Sequence, residues 1–334
     1  MNSYYIERIG RAVLTLWLVV TLTFGIIRLL PGGPLVQLRA QLIRQGVDPS
    51  EIEGIIETYQ NLRPNEPIYV QYVDYVSSLL VGDMGQSFRY GKPVSAIVGD
   101  ALPWTVFVMV TATLILFAIA IVWGAVMAYK EGSTLDTVSS AVSILFSTVP
   151  FYVFAIVLVV LLGYRAGLFP TANRTSPGAM DPYTIEFVVD ALHHAILPIT
   201  SVVVTQAGLQ ALAMRGNSIQ VLGEDYVRVA RLRGLSDSRI SVRYVARNAI
   251  LPMYTGFLTL IGFNLGGSVI LEEVFTYPGI GYYMFAALEA RDYPLMMGVF
   301  LIITTALVLA VFVADLTYGK IDPRVETGDS SEAY

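Results

Sequence analysis

Six runs of about 20 or more mostly apolar residues constrain this chain more than any other feature, at 12–30, 102–129, 138–163, 195–214, 250–271 and 294–318. A helix rising about 1.5 Å per residue needs roughly 20 such residues to cross about 30 Å of hydrocarbon. Each run is expected to be helical, because lipid offers no hydrogen-bond partner to an open backbone. With 55% hydrophobic and 14% charged residues among 334, and a mean hydropathy of +0.62, the chain is too apolar for a soluble domain. The expected fold class is an all-α polytopic membrane protein with six transmembrane helices. Arg8 and Arg11 precede the first run as in a secretion signal, but "RLLPGGP" offers no small-x-small cleavage site, so this helix is expected to remain.

Basic residues orient the spans. With the N-terminus inside, the inner segments hold Arg8, Arg11, Lys130, seven arginines from Arg215 to Arg247, Lys320 and Arg324, twelve of the 21 basic residues. The short outer loops hold only Arg165, Arg174 and Arg291. Arg39, Arg44, Arg63, Arg89 and Lys92 lie in a loop long enough for its charge to count little in orientation. Both termini are therefore expected on the cytoplasmic side of the cell membrane. The net charge of −5 hides an acidic outer segment and tail and a basic inner loop, and implies no nucleic-acid partner. The absence of cysteine excludes disulfides and thiolate metal sites.

The chain divides into residues 1–30 with the first helix at 12–30, an outer insertion at 31–101, a core at 102–318, and a tail at 319–334. The insertion opens on the breaker "PGGP", then shows helical spacing at Ile52, Ile55, Ile56 and Tyr59 and a tyrosine-rich run "YVQYVDYVSSLL". It is expected to form a mainly helical extracytoplasmic layer, since a plain connector would be shorter.

The inner loop, 215–249, contains "EDYVRVARLRGL" at 224–235. Ile219, Leu222, Tyr226, Ala230 and Gly234 fall at spacings of three and four, giving one apolar or small face; Glu224, Arg228 and Arg231 fall on another. The Glu224–Arg228 pair adds only about 0.3 kcal/mol. Gly234 suits a left-handed helix terminus, and Ser236 can cap a second helix carrying Arg239, Arg243 and Arg247 as a cationic stripe. Two readings stand open: a charged surface lying on anionic headgroups, or a protruding helix that docks into a partner's groove.

"GEDYVRVARLRGL" followed by "ARNAILP" resembles the cytoplasmic signature loop of bacterial and archaeal ABC-importer permeases of the dipeptide, oligopeptide and nickel group. That family's loop reads Glu-Ala-Ala, three residues, Gly, then Leu-Pro farther on. Ala230 and Gly234 match it, while Arg228 and Val229 replace the first two letters, as in the peptide-group variant. "RLLPGGP", "GDMGQS" (82–87), "HAILP" (194–198), "LEEVFTYPGIG" (271–281), "RDYP" (291–294) and "DPR" (322–324) are similar to group motifs in the same order. The resemblance implies the type I ABC importer permease fold. It also implies a coupling helix, with Glu224, Asp225, Tyr226, Arg228, Ala230, Arg231 and Gly234 seated on an ATPase. The implied partners are a second homologous permease, two cytoplasmic ATPase subunits and an extracytoplasmic solute-binding protein. ATP and Mg would then be bound by the ATPases, and no cofactor by this chain. Pro278, Gly279 and Gly281 would form a turn at the outer gate. The implied substrate is a short peptide, with nickel, glutathione or oligosaccharides as alternatives within the same machinery.

No catalytic or metal site is expected. Gly91-Lys92 and Gly319-Lys320 are followed by Pro93 and Ile321, so there is no phosphate-binding Walker loop, and neither G-x-S-x-G nor H-E-x-x-H occurs. His193 and His194 are adjacent, and their rings would diverge by about 100° on a helix, which suits a role at the helix start better than a metal. Gln206, Gln210 and Asn264 lie within spans, where an amide either bonds a neighbouring helix or lines a wet path. A stand-alone secondary transporter or channel is the rival class. It would need coupling charges inside the spans, where only Arg28 and Asp315 come near, both close to span ends.

Overall fold

The computed structural model describes residues 2–29, 39–40, 42–44, 46–48, 50–52, 54–55, 66–178, 184–265 and 269–321. These residues are mostly helical. The longer helices are α1 (Asn2–Leu29), α2 (Ile68–Leu80), α3 (Val94–Tyr129) and α4 (Thr134–Thr148). After them come α5 (Phe151–Leu158), which widens into the π-helical stretch Val159–Arg165, and α6 (Ile185–Leu222). In the inner loop α7 (Asp225–Leu232) is followed by α8 (Asp237–Ile240), the π-helical stretch Ser241–Ala246, and α9 (Arg247–Leu265). The chain continues through α10 (Val269–Val274), α11 (Ile280–Ala290) and α12 (Tyr293–Ile321). The isolated bridge between Gln86 and Pro93 is antiparallel.

Among the described residues, four helices are long and apolar enough to cross a membrane, or five if the bent α4–α5 pair is one span. They are α1 over Arg8–Gly25, α3, α6, and α12 over Tyr293–Val313. The expected third span, 138–163, is not one rod: α4 and α5 meet at 90°. Pro150 lacks the N–H that would continue the helix and holds Val149 in extended backbone, φ −84° and ψ 120°. The expected fifth span, 250–271, appears as α9 and α10 on either side of residues 266–268, which lie outside the described set. "PGGP" at 31–34 and "DPR" at 322–324 also lie outside it.

Helix ends run past the apolar windows. α3 begins at Val94 rather than 102, absorbing the end of the expected insertion, and α6 covers 38 residues rather than 195–214. Hydropathy marks the immersed stretch, whereas a helix continues until its backbone bonds are capped. Thr184 caps α6 by accepting from Phe187 N–H at 3.3 Å.

Contacts divide the chain into two units. The first comprises Met1–Thr105, Leu265–Glu273 and Pro278–Leu309. Here Phe24 of α1 packs on Tyr72 and Tyr75 of α2, with ring centroids 5.4 and 5.5 Å apart, and Thr21 hydrogen-bonds the Tyr72 hydroxyl at 2.6 Å. Burial raises the Tyr75 phenol above its ordinary range. Val94, Val98 and Ala101 form a core with Ile280, Ala287, Leu295 and Val299.

The second unit comprises Val106–Asn264, Val274–Tyr277 and Ala310–Tyr334. α6 packs against both α4 and α5. At Gly208 the backbone of α6 comes so close to Ser143 that a Cβ would sit 2.6 Å from its carbonyl oxygen. Small residues permit such an approach, which is how apolar helices attract one another in lipid. The chain alternates direction here. Asp136 at the start of α4 meets Arg215 near the end of α6, while the loop after α5 meets the start of α6, where Asp190 accepts from Ser176 N–H and O–H at 2.7 Å.

Gly208→Val should therefore lower the thermal midpoint of the detergent-solubilised protein by the equivalent of about 1–3 kcal/mol of overpacking. Gly216→Ala, in the same helix but facing open space, should leave it unchanged or raised. Equal midpoints for the two variants would contradict the close α4–α6 approach.

Candidate functional site

The loop at 215–249, singled out by its sequence, is built as follows. α6 ends at Leu222, Gly223 interrupts it, and Glu224 starts α7 with extended backbone, its carbonyl accepting from Val227 N–H at 3.0 Å. Asp225 occupies the first turn, where a negative charge suits the helix dipole, and Arg231 the last, where a positive one does. α7 closes in a Schellman motif: Leu235 N–H donates to the Ala230 carbonyl at 3.3 Å, and Gly234 N–H to that of Arg231 at 2.9 Å. Gly234 sits at φ +72°, where any other residue would pay for its Cβ. Among the described residues nothing lies within 4 Å of that Cβ position, so the glycine answers to the turn.

The expected apolar face is resolved differently. Val227 and Ala230 are buried against Ile240 and Val245, with Val221, Leu222, Leu235 and Tyr244 packed around them. Tyr226, by contrast, faces outward. Ile219 and Leu222 belong to α6 and Tyr226 to α7, so the break at Gly223 ends the shared periodicity on which that face was drawn. Ala230 thus serves the loop's own core. The outward side carries Tyr226, Val229 and Leu232 at a spacing of three, with Leu232 80% exposed, and all three stand among exposed Glu224, Asp225, Arg228 and Arg231. Arg239, Arg243 and Arg247 are also exposed.

The other expected positions are dispersed. Asn264 of α9 donates to Thr113 Oγ1 of α3 at 2.8 Å, so its amide joins two helices. Gln206 and Gln210 are half-buried one turn apart on α6. His194 Nδ1 lies 2.9 Å from the Asp190 carbonyl oxygen and His193 Nε2 lies 3.1 Å from that of Leu168, so the two rings turn to different partners.

Pro278 and Gly279 lead into α11 and Gly281 lies in its first turn, and they expose a feature that the sequence reading missed. Thr105 O–H donates to Glu272 at 2.7 Å, Ile280 N–H donates to Thr105 Oγ1 at 2.8 Å, and Tyr282 N–H donates to Glu272 at 2.9 Å. The first N–H groups of a helix have no partner within it, and here α3 and α10 supply the acceptors. Gly279 has no room for a side chain because the Thr105 hydroxyl and the Glu272 carboxylate occupy that space. The one available signal was a carboxylate, Glu272, at the end of an apolar run; its partner Thr105 is 167 residues away in sequence.

A second long-range join unites two quoted motifs. Asp292 of "RDYP" is fully buried and accepts from Ser87 Oγ of "GDMGQS" at 2.5 Å and from Arg89 N–H at 3.0 Å. Burial raises the phenol of neighbouring Tyr90, against the opposing pull of Arg89.

Residues 120–327 match the family described as binding-protein-dependent transport system inner membrane component. The chain belongs to this family. The matched range includes the inner loop, Gln206, Gln210, Asn264 and the start of α11. The chain is 32% identical to the oligopeptide transport system permease protein AppB of Bacillus subtilis, over 98% of this chain and 100% of that protein. It is 31% identical to the di/tripeptide transport system permease protein DppB of Pseudomonas aeruginosa, over 97% and 99%. It is 27% identical to the dipeptide transport system permease protein DppB of Escherichia coli K12, over the same shares. As a member of this inner-membrane family, with several helices long and apolar enough to cross a membrane, the protein is a membrane transport component.

Glu272→Ala should leave Thr105 O–H and Tyr282 N–H without acceptors and destabilise the protein by about 1–3 kcal/mol. Glu272→Gln, which keeps an acceptor oxygen, should cost less. Thermal unfolding in detergent decides, and equal losses in both would assign the effect to something other than these bonds.

Proposed function

We propose that this chain is the transmembrane permease subunit of an ATP-driven importer of short peptides. The observation that carries the reading is α7, a helix whose inner side is sealed by its own loop while Tyr226, Val229 and Leu232 are presented outward among charges. Apolar side chains so exposed beside a membrane-crossing bundle suit a protein groove, and full burial of each would contribute about 1.5–3 kcal/mol. The groove belongs to a cytoplasmic ATPase subunit. One ATPase serves each of two homologous permeases, which pair across the membrane. ATP and Mg bind those ATPases and not this chain. The relatives named as oligopeptide, dipeptide and di/tripeptide permeases favour peptides as cargo.

In this assembly the chain crosses the membrane six times with both termini inside, and the insertion 31–101 faces outward. A solute-binding protein delivers peptide to the outer side. Closure of the ATPases on ATP moves α7, and the spans answer by exchanging an inward for an outward opening. Gln206, Gln210 and the region of Asn264 are the polar positions available to such a path. Pro278, Gly279 and Gly281 hold the outer turn against Thr105 and Glu272, a fixed point near the outer gate.

Because the chain has no native cysteine, topology is read by labelling. Ser50→Cys, at an exposed position, should react in intact cells with a membrane-impermeant thiol reagent, and Ser236→Cys only after permeabilisation. The reverse pattern would overturn the orientation.

Docking is read by co-purification of the ATPase subunits. Leu232→Asp and Gly234→Leu should each lose them while the permease still inserts. Arg243→Ala should keep them, costing about 1 kcal/mol of attraction to anionic lipid. Ala230→Arg should instead disrupt the loop itself and lower the protein's yield. Wild-type docking in both Leu232→Asp and Gly234→Leu would return the loop to a charged face lying on lipid.

A further inference from the structure

Asp136 and Arg215 form a two-pronged ion pair, Arg215 Nε donating to Oδ1 at 2.6 Å and Nη2 to Oδ2 at 2.7 Å. The Asp136 side chain is 5% exposed and that of Arg215 27%. The same carboxylate accepts from Gly132 N–H at 3.0 Å, in the turn that joins α3 to α4. Arg215 lies on α6 two turns before that helix ends at Leu222 and hands the chain to α7. The pair therefore ties the arm that carries α7 to the start of α4.

Three further contacts decide where a displacement of α7 can go. Asn217 Nδ2 donates to the Ala249 carbonyl at 3.3 Å, clasping the two legs of the inner loop, α6 and α9, to each other. At Gly124, α3 comes so close that a Cβ there would overlap Ala211 and Met214 of α6. Val227 and Ala230 lock α7 onto the loop's second half through Ile240 and Val245. The loop is thus one braced body, and the last two turns of α6, from Arg215 to Leu222, continue as regular helix well beyond Pro198, so that displacement of α7 reaches Arg215 directly. A planar guanidinium on a planar carboxylate resists both sliding and rotation, which a single ammonium contact does not. α4 ends at the 90° bend before Pro150, so its axis is distinct from that of α5, with Phe146 and Phe154 in edge contact across the bend at 6.0 Å between ring centroids.

We infer that the Asp136–Arg215 pair is the joint through which movement of the inner loop is delivered to α4. The two are positioning residues that act through the helices they join. The inference rests on the permease reading above, since it takes α7 as the moving input.

The test uses the whole complex in proteoliposomes: this chain, its partner permease, the ATPase subunits and the binding protein loaded from a tryptone digest. ATP hydrolysis is measured with and without the binding protein for wild type, Arg215→Lys, Asp136→Asn, and the double variant Asp136→Arg with Arg215→Asp. The expected result is basal hydrolysis near wild type in both single variants, with stimulation by the binding protein reduced about tenfold, within the usual range of coupling between sites. The double variant should recover most of the stimulation. A purely structural pair would lower basal and stimulated hydrolysis in the same proportion, and that outcome overturns the inference. Unchanged stimulation in both single variants overturns it too. A double variant no better than the singles assigns the effect to one residue and refutes the pair as the joint. Failure of the wild-type chain to retain ATPase subunits would refute the permease reading itself, whereas retention with unaltered stimulation in both single variants refutes only the joint.

Discussion

The hydrogen-bonding demand of a backbone in lipid is the constraint on which the rest of this structure depends. Each unsatisfied N–H or C=O in hydrocarbon costs several kcal/mol, so the apolar stretches have helix as their only open-ended solution. α1 shows the consequence most plainly. Ile9, Val13, Leu14, Trp17, Leu18 and Leu22 all face outward, an arrangement that water would penalise and lipid does not. With burial from water removed as a driving force, helices associate through close packing and polar clasps. The approach of Gly208 to Ser143, the bond from Asn264 to Thr113 and the Asp136–Arg215 pair are of these kinds.

The same demand explains where the backbone is irregular. Among the described residues, several helix ends are closed by a side chain or a loop. The Schellman turn at Gly234 closes α7, Thr184 starts α6, and Glu272 with Thr105 supplies the first turn of α11 from elsewhere in the chain. Asp292 does the like for α12, accepting from Leu295 N–H at 3.2 Å while holding Ser87 and Arg89. Residues that read as surface punctuation in the sequence are therefore the fixed points of the fold.

These fixed points bear on the proposed mechanism. A permease driven from one side must transmit movement across the bilayer without letting its own loops absorb it. The braced loop 215–249, the last turns of the helix that leads into it, and the pinned turn at the start of α11 are each locally stiff elements. At Val149–Pro150 the helical path instead turns by 90°. Bracing and bend are set by different residue types, paired charges and glycine contacts for the one and Pro150 for the other.

By itself the sequence determined the all-helical class, the membrane setting and the family. These rest on local quantities: apolar length, breaker residues, and ordered short motifs such as "EDYVRVARLRGL" with its terminal Gly234. It also determined that α7 would end in a left-handed turn, because that conformation is nearly a glycine property. Tertiary structure decided the rest. Helix ends at Val94 and Leu222 depend on capping rather than hydropathy, so apolar windows placed them short. Which side of α7 faces out depended on the break at Gly223, which periodicity counted across. Ala230 turned inward and Leu232 outward for that reason. Glu272 with Thr105, Asp292 with Ser87 and Asp136 with Arg215 were invisible beforehand, since each pairs side chains separated by 79 to 205 residues, and only the packing of helices brings such partners within hydrogen-bond reach.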